Sequence, residues 1–352
     1  MGDSAASEPQ LSGLEQALAR FAAGAGTTIL LAAAILAGSA LGQLSPEHGN
    51  RLGGYVDHTI LALVGLLVFE VQFSALRKSW SNIRFLSVAW IANFVLVPMI
   101  GFIIASVFLS GQPLFFTGLL IYFMAPCTDW FLGFTRLAEG NTALGAVLLP
   151  VNMILQLLLY PVYLTLFAGG AAPVEASTIT SALLQWVLGP FAAAIAIHQL
   201  LKHLLSGAAF TRLLNWAGYA TPFVIALLIL EIFASNISTI FEHASIFEIM
   251  LVAIFLFFVA TFLLGEIGSR VAGLAYPEHA LLTMTTAARN APMMLGVTAI
   301  AMPNQPLIYA AIIVGMLLEF PHLTVLRQIL LRGRSARGDG RLYPPQVRRE
   351  VS

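Results

Sequence analysis

Met124-Ala-Pro-Cys-Thr-Asp-Trp130 interrupts the fourth long apolar run of this 352-residue chain. Pro126 has no N–H, and its ring disfavours helix in the preceding residue, so a helix crossing here should break near Ala125. At membrane depth, freed backbone groups are tolerated only where they line a cavity or are covered by protein. Into this break the sequence places Cys127, Thr128 and Asp129, and Cys127 is the only cysteine in the chain. A broken helix with a carboxylate beside it is how secondary transporters build a binding site near the bilayer midplane.

Composition supports the premise of membrane depth. Hydrophobic residues make up 59% of the chain and charged residues 10%, against roughly 25% charged in soluble domains. Mean hydropathy is +0.87. Runs of about twenty apolar residues follow one another, and the alternation of a β-barrel is absent. The class expected is an all-α polytopic membrane protein. A net charge of zero leaves no nucleic-acid footprint, and one cysteine excludes an intramolecular disulfide or a multi-cysteine metal cage. The sequence has no His-Glu-x-x-His, no Ser/His pair at a break and no cofactor motif, so neither an enzyme nor a bound cofactor is expected.

Ten spans are expected, at 22–42, 55–75, 83–109, 113–138, 142–168, 176–204, 213–235, 246–273, 277–302 and 306–331. Residues 1–21 read as a cytoplasmic segment, with helical spacing over 11–21; Arg20 is their only base, a poor signal-peptide start. With the N-terminus inside, fifteen of the seventeen Lys and Arg fall in inner segments, including the tail from Arg327 to Arg349; Arg51 lies outside and Arg289 within a span. The positive-inside rule then places both termini in the cytoplasm of a plasma-membrane protein. Residues 169–175 form an outer linker between two five-span halves, 22–168 and 176–332, with a basic cytoplasmic tail at 333–352. Five is odd, so similar halves would be inverted. The fifth span carries Leu157-Leu-Leu-Tyr-Pro-Val-Tyr-Leu164 and the tenth Met316-Leu-Leu-Glu-Phe-Pro-His-Leu323; the fourth breaks at Pro126 and the ninth near Asn290-Ala-Pro292. Crossing there, the half-helices would aim N-terminal amides at one central volume.

Arg289 and Asp129 sit beside the two breaks with opposite charge, which suggests a pair. It serves either as a permanent strut or as a lining that engages substrate. Glu319, near the middle of the tenth span, is placed to take and release protons; the plainer alternative is a fixed hydrogen-bonding group. His322, one turn away, reads as packing, and Glu70, Glu231 and Glu266 as structural residues towards span ends. Cys127 is either a small buried hydrophobe or a soft ligand facing the cavity.

The stretch Ala125-Pro-Cys-Thr-Asp-Trp-Phe-Leu-Gly-Phe-Thr-Arg-Leu-Ala-Glu-Gly-Asn141 resembles the broken fourth span of the bile acid:sodium symporter superfamily, within it the arsenite permeases. Val314-Gly-Met-Leu-Leu-Glu-Phe-Pro321 resembles the run of their last span. The resemblance implies a core domain of spans three to five and eight to ten moving against a panel domain of spans one, two, six and seven. It implies Cys127 and Glu319 as functional residues, and export of arsenite or antimonite driven by protons. Substrate contacts would come from Cys127, Thr128, Asp129, Arg289 and Asn290, with Pro126 and Pro292 at the breaks.

Departures from the resemblance bear on the coupling ion. Sodium-coupled members carry Glu-x-Gly-x-Gln-Asn where this chain has Thr285-Thr-Ala-Ala-Arg-Asn290, and a Ser-Asn pair where it has Phe131 and Leu132. A cation site needs convergent oxygens and little competing positive charge, so both sodium sites read as lost at Phe131, Leu132, Thr285 and Arg289. The Asn-Asn-Phe-Glu run of arsenite permeases is missing too, since Ala, Pro and Met follow Asn290. The partners expected are a metalloid or small molecule, protons and the lipid bilayer. A small organic anion drawn to Arg289 is the competing substrate class, and a channel or membrane sensor the competing function.

Overall fold

The computed structural model describes residues 25–70, 82–128, 130–168 and 188–336, together with Ser181. The expected segment 1–21, the linker 169–175, Asp129 and the tail beyond residue 336 lie outside the described residues. These fold into α1 (Ala25–Leu44), α2 (Pro46–Gly53), α3 (Val56–Glu70), α4 (Ile83–Leu109), α5 (Pro113–Met124), α6 (Trp130–Leu137), α7 (Thr142–Tyr163), α8 (Leu188–Leu204), α9 (Gly207–Phe241), α10 (Ala244–Val271), α11 (Tyr276–Ala287), α12 (Ala291–Ala301) and α13 (Pro306–Ala336). Among the described residues there is no strand, only one isolated antiparallel bridge.

Among the described residues six helices are long and apolar enough to cross a membrane: α1, α4, α7, α9, α10 and α13. Shorter apolar helices lie at Val56–Leu67, Pro113–Met124 and Ala291–Ala301. The outer face of α10 exposes Leu251, Val252, Phe255, Val259, Leu263 and Ile267. An apolar exterior on that scale suits lipid, not water.

Local chemistry sets several boundaries. Asn82, Asn141 and Ser206 cap α4, α7 and α9, each accepting a hydrogen bond from a backbone amide three residues on. Ser206 starts α9 six residues earlier than expected, and α9 continues to Phe241 across a kink at Asn236. Glu231 is therefore well inside a helix rather than at its end; it is buried, and Thr59 Oγ1 donates to it at 3.0 Å. Similarly, α13 continues through Ala336, and Arg334 pairs with Glu139. In α4, Pro98 cannot bond the carbonyl of Phe94. The helix widens to a π segment over Ala92–Leu96 just before it, and the Tyr163 hydroxyl donates to Phe94 O at 2.6 Å.

Packing falls into two groups. α1, α2 and α3 pack on α9, and α8 packs on α3; α4, α5, α10, α11 and α13 pack among themselves, with α6 on α11. α3 against α12 and α9 against α13 join the groups. The seam of α1 and α2 with α9 is backbone on backbone. A Cβ added at Gly38 would lie 2.6 Å from Leu230 O, and one at Gly42 or Gly49 would lie 2.3 Å from Ala234 O. Small residues permit this approach, as is usual between helices in membranes.

Candidate functional site

Both interruptions read from the sequence are present, and they meet. α5 ends at Met124 and α6 begins at Trp130; α11 ends at Ala287 and α12 begins at Ala291. Cys127 N donates to Ala288 O at 3.1 Å and Asn290 N donates to Ala125 O at 2.9 Å, forming the bridge between Pro126 and Arg289. Each break thus satisfies backbone groups of the other, as depth in a membrane requires. The second break falls at 288–290, ahead of Pro292. That proline occupies the first turn of α12, where a missing N–H costs nothing.

Arg289 is fully buried. Its Nη1 donates to Phe123 O at 3.2 Å; its Nη2 donates to Thr286 O at 2.7 Å, Thr285 O at 2.9 Å and Asn93 Oδ1 at 3.3 Å. Phe123 belongs to the last turn of α5, and Thr285 and Thr286 to the last turn of α11. The guanidinium therefore caps the C-terminal ends of two half-helices, where orphan carbonyls and the negative end of the dipole favour a cation. It also lies over the Phe257 ring, 5.9 Å from the centroid. Among the described residues no carboxylate is within ion-pair distance of it. The expected partner, Asp129, is not among them.

Glu319, also fully buried, takes the complementary position. Its Oε1 accepts from Trp130 Nε1 at 2.6 Å and from Arg289 N at 3.0 Å; its Oε2 accepts from Tyr122 Oη at 3.0 Å. One carboxylate on α13 thus ties the end of α5, the start of α6 and the second break. It lies beside the N-terminal sides of α6 and α12, where negative charge is favoured.

The remaining expected residues converge on the same crossing. Cys127 is buried, and its carbonyl accepts from Asn152 Nδ2 at 3.4 Å. Thr128 Oγ1 accepts from Asn290 Nδ2 at 2.9 Å, and Asn290 Oδ1 caps α12 through Met293 N. Phe131 and Leu132 carry no side-chain oxygen, and Phe131 is buried in the apolar core. Thr285 Oγ1 is engaged by Asn93 Nδ2 at 3.1 Å. His322 stacks on Phe258, ring centroids 4.1 Å apart, which is a packing role. Sequence reasoning missed Asn93, Tyr122, Trp130 and Asn152. Asn93, Tyr122 and Asn152 are single polar residues in apolar runs, and Trp130 closes the first break, so nothing local marks what they contact.

Helical spans around two opposed interruptions, with a buried cation and carboxylate each serving both, define a multi-pass membrane transporter. Residues 60–243, just over half of the sequence, match the sodium bile acid symporter family, and the chain belongs to that family. The arsenical-resistance protein Acr3 of Corynebacterium glutamicum is 24% identical over 288 residues, covering 76% of this chain and 77% of that protein. An uncharacterized transporter of Synechocystis is 24% identical over 340 residues, with 86% of each chain covered. The probable chloroplastic sodium/metabolite cotransporter BASS2 of rice is 28% identical over 133 residues, 38% of this chain. That last match spans only 30% of the plant protein.

Proposed function

We propose that the protein exports arsenite or antimonite across the plasma membrane in exchange for protons, without sodium. The observation that carries the reading is the state of Arg289. Four oxygens that could ligate a cation, Phe123 O, Thr285 O, Thr286 O and Asn93 Oδ1, already surround its guanidinium. A tethered cation there leaves no role for a diffusible one. The coupling ion must then act elsewhere, and Glu319 is suited to it. Three donors point at its carboxylate, which suits the ionised acid; adding a proton makes one acceptor oxygen a donor and disturbs the tie between the two breaks. A proton and the relative position of the half-helices are thereby linked.

Substrate chemistry follows from Cys127 at the same crossing. Trivalent arsenic seeks thiols, and its hydrated form is a small neutral polyol. A single thiol with hydroxyl and amide partners, Thr128 and Asn290, holds it weakly enough for release. The similarity to an arsenical-resistance protein over three quarters of both chains supports this choice. The organic-anion alternative needs a free guanidinium fork for a carboxylate, and both Nη atoms of Arg289 are engaged by the protein.

The wider reading has ten spans in two inverted five-helix halves (22–168 and 176–332) with both termini cytoplasmic. The two packing groups act as a panel and a moving core. Support comes from helices at all ten expected positions and from the antiparallel meeting of the breaks. The test is arsenite flux into everted vesicles under an imposed pH gradient without sodium, with Cys127→Ser and Glu319→Gln beside the wild type. Uptake that needs both residues is expected. No flux from well-folded wild type sinks the metalloid reading.

A further inference from the structure

One face of α7 carries hydrogen-bonding groups that the crossing leaves unused. Asn152, Gln156 and Tyr160 are spaced four residues apart, so they line one side of the helix. Asn152 Nδ2 holds the Cys127 carbonyl in the first break. Two turns on, the Tyr160 and Thr298 hydroxyls share a hydrogen bond at 3.0 Å, which fixes that end of the face against α12. Gln156 lies between these anchors, about 6 Å along the helix axis from each. It is 2% exposed, and neither its Oε1 nor its Nε2 has a partner; Asn152 Oδ1, at 0% exposure, has none either. Gln156 is the only side chain among the described residues with both polar atoms buried and unpartnered.

A face needed only for packing would be served by Leu or Met, because a dry amide in an apolar interior is unfavourable. We infer that Asn152 and Gln156 form a subsite for the hydroxyl groups of a small, neutral, polyhydroxylated solute. A hydroxyl can donate to Asn152 Oδ1 or Gln156 Oε1 and accept from Gln156 Nε2. An anion would face two carbonyl oxygens, and a bare cation would face the amide N–H groups; neither matches both heads. Two heads one turn apart suit a solute with at least two hydroxyls. Because Asn152 also holds the carbonyl of Cys127, a solute bound there lies next to the residue that carries the thiol. Both amide heads are buried in this conformation, so binding needs the packing around this face of α7 to open. For its substrate the inference rests on the metalloid reading above, arsenous acid being such a solute.

The test uses the full chain in proteoliposomes, with wild type, Asn152→Leu and Gln156→Leu. Gln156→Leu removes only unpartnered polar atoms and should not melt below wild type, whereas Asn152→Leu also gives up the long Nδ2 contact to Cys127 O and should melt lower by a few degrees at most. The arsenite KM should rise at least tenfold in Gln156→Leu and severalfold in Asn152→Leu, with Vmax largely retained. An unchanged KM in both well-folded variants overturns the subsite, leaving amides that hold only water. Binding of boric acid and glycerol, neutral polyols without affinity for thiols, is measured on the same proteins. If wild type moves no arsenite but binds these probes, and Gln156→Leu does not, the metalloid reading fails and the subsite stands. If wild type binds neither probe and moves no arsenite, both fail.

Discussion

Replacing Glu319 by Leu and by Gln separates its two assigned duties. Leucine removes the acceptor of Trp130 Nε1, Arg289 N and Tyr122 Oη at once. The phenol can rotate towards another partner; the indole and the backbone amide cannot. The amide is buried and the indole half-buried, and each loses its charged acceptor at about 1–3 kcal/mol, so Glu319→Leu should lose about 2–6 kcal/mol. Glutamine keeps an oxygen where Oε1 is, retaining both of those donors, and presents its NH2 to Tyr122 Oη, which can accept. No donor is stranded, and the cost should stay near about 1 kcal/mol. At roughly 2 °C per kcal/mol for a chain of this size, the glutamine variant should melt about 2–10 °C above the leucine variant. Intrinsic tryptophan fluorescence in detergent reads this, at one fixed scan rate because unfolding of such proteins is often irreversible. Both variants should lose pH-driven flux, the glutamine one while still folded. Coincident melting of the two variants, or glutamine melting lower, would refute the assignment of Glu319 as the shared acceptor of the two breaks.

Removing the tethered cation by Arg289→Ala leaves four oxygens facing an empty volume. Added sodium should then raise the melting temperature of the variant by several degrees more than that of wild type; an equal response would count against the guanidinium standing in for an ion. Gly315→Ala tests the Tyr122 arm without touching a charged group, since the new Cβ would lie 2.6–2.7 Å from three atoms of the Tyr122 ring. The ring must move by most of an ångström, at about 1–3 kcal/mol, and proton-driven flux measured in vesicles should fall at least severalfold. Wild-type flux in that variant would mean the phenol contact is dispensable.

Much of this architecture is readable along the chain because its causes are local. Pro126 removes a donor and disfavours helix at Ala125, and the polar Cys127, Thr128 and Asp129 beside it mark a break that Pro150, Pro161, Pro222 and Pro321, inside continuous helices, do not make. Fifteen inner basic residues set a parity independent of hydropathy. The helices at 83–109 and 306 onward begin where their caps and prolines say. What the sequence hides is non-local. Nothing near Glu319 reveals that its acceptors serve Tyr122 and Trp130, 197 and 189 residues away. Asn93 follows the buried face of Leu86 and Ala89 on α4, but nothing local reveals that this face meets Arg289, 196 residues away. The sequence points to a break near Asn290-Ala-Pro292, and the chain turns extended at Ala288, two residues before that stretch, where the first break supplies partners. Gln156 looks like a stray polar residue in an apolar run, and only burial without a partner gives it meaning.

The glycine seam between α1, α2 and α9 has a consequence for any study of motion. Where carbonyl meets α-carbon with no side chain between, there are no rotamers to exchange and no slack to absorb sliding. That layer is therefore a natural reference frame. Spin labels at Leu36 and Leu227, both exposed on helices of the seam, should keep one separation in every transport state. Labels placed across α3 and α12 should report two.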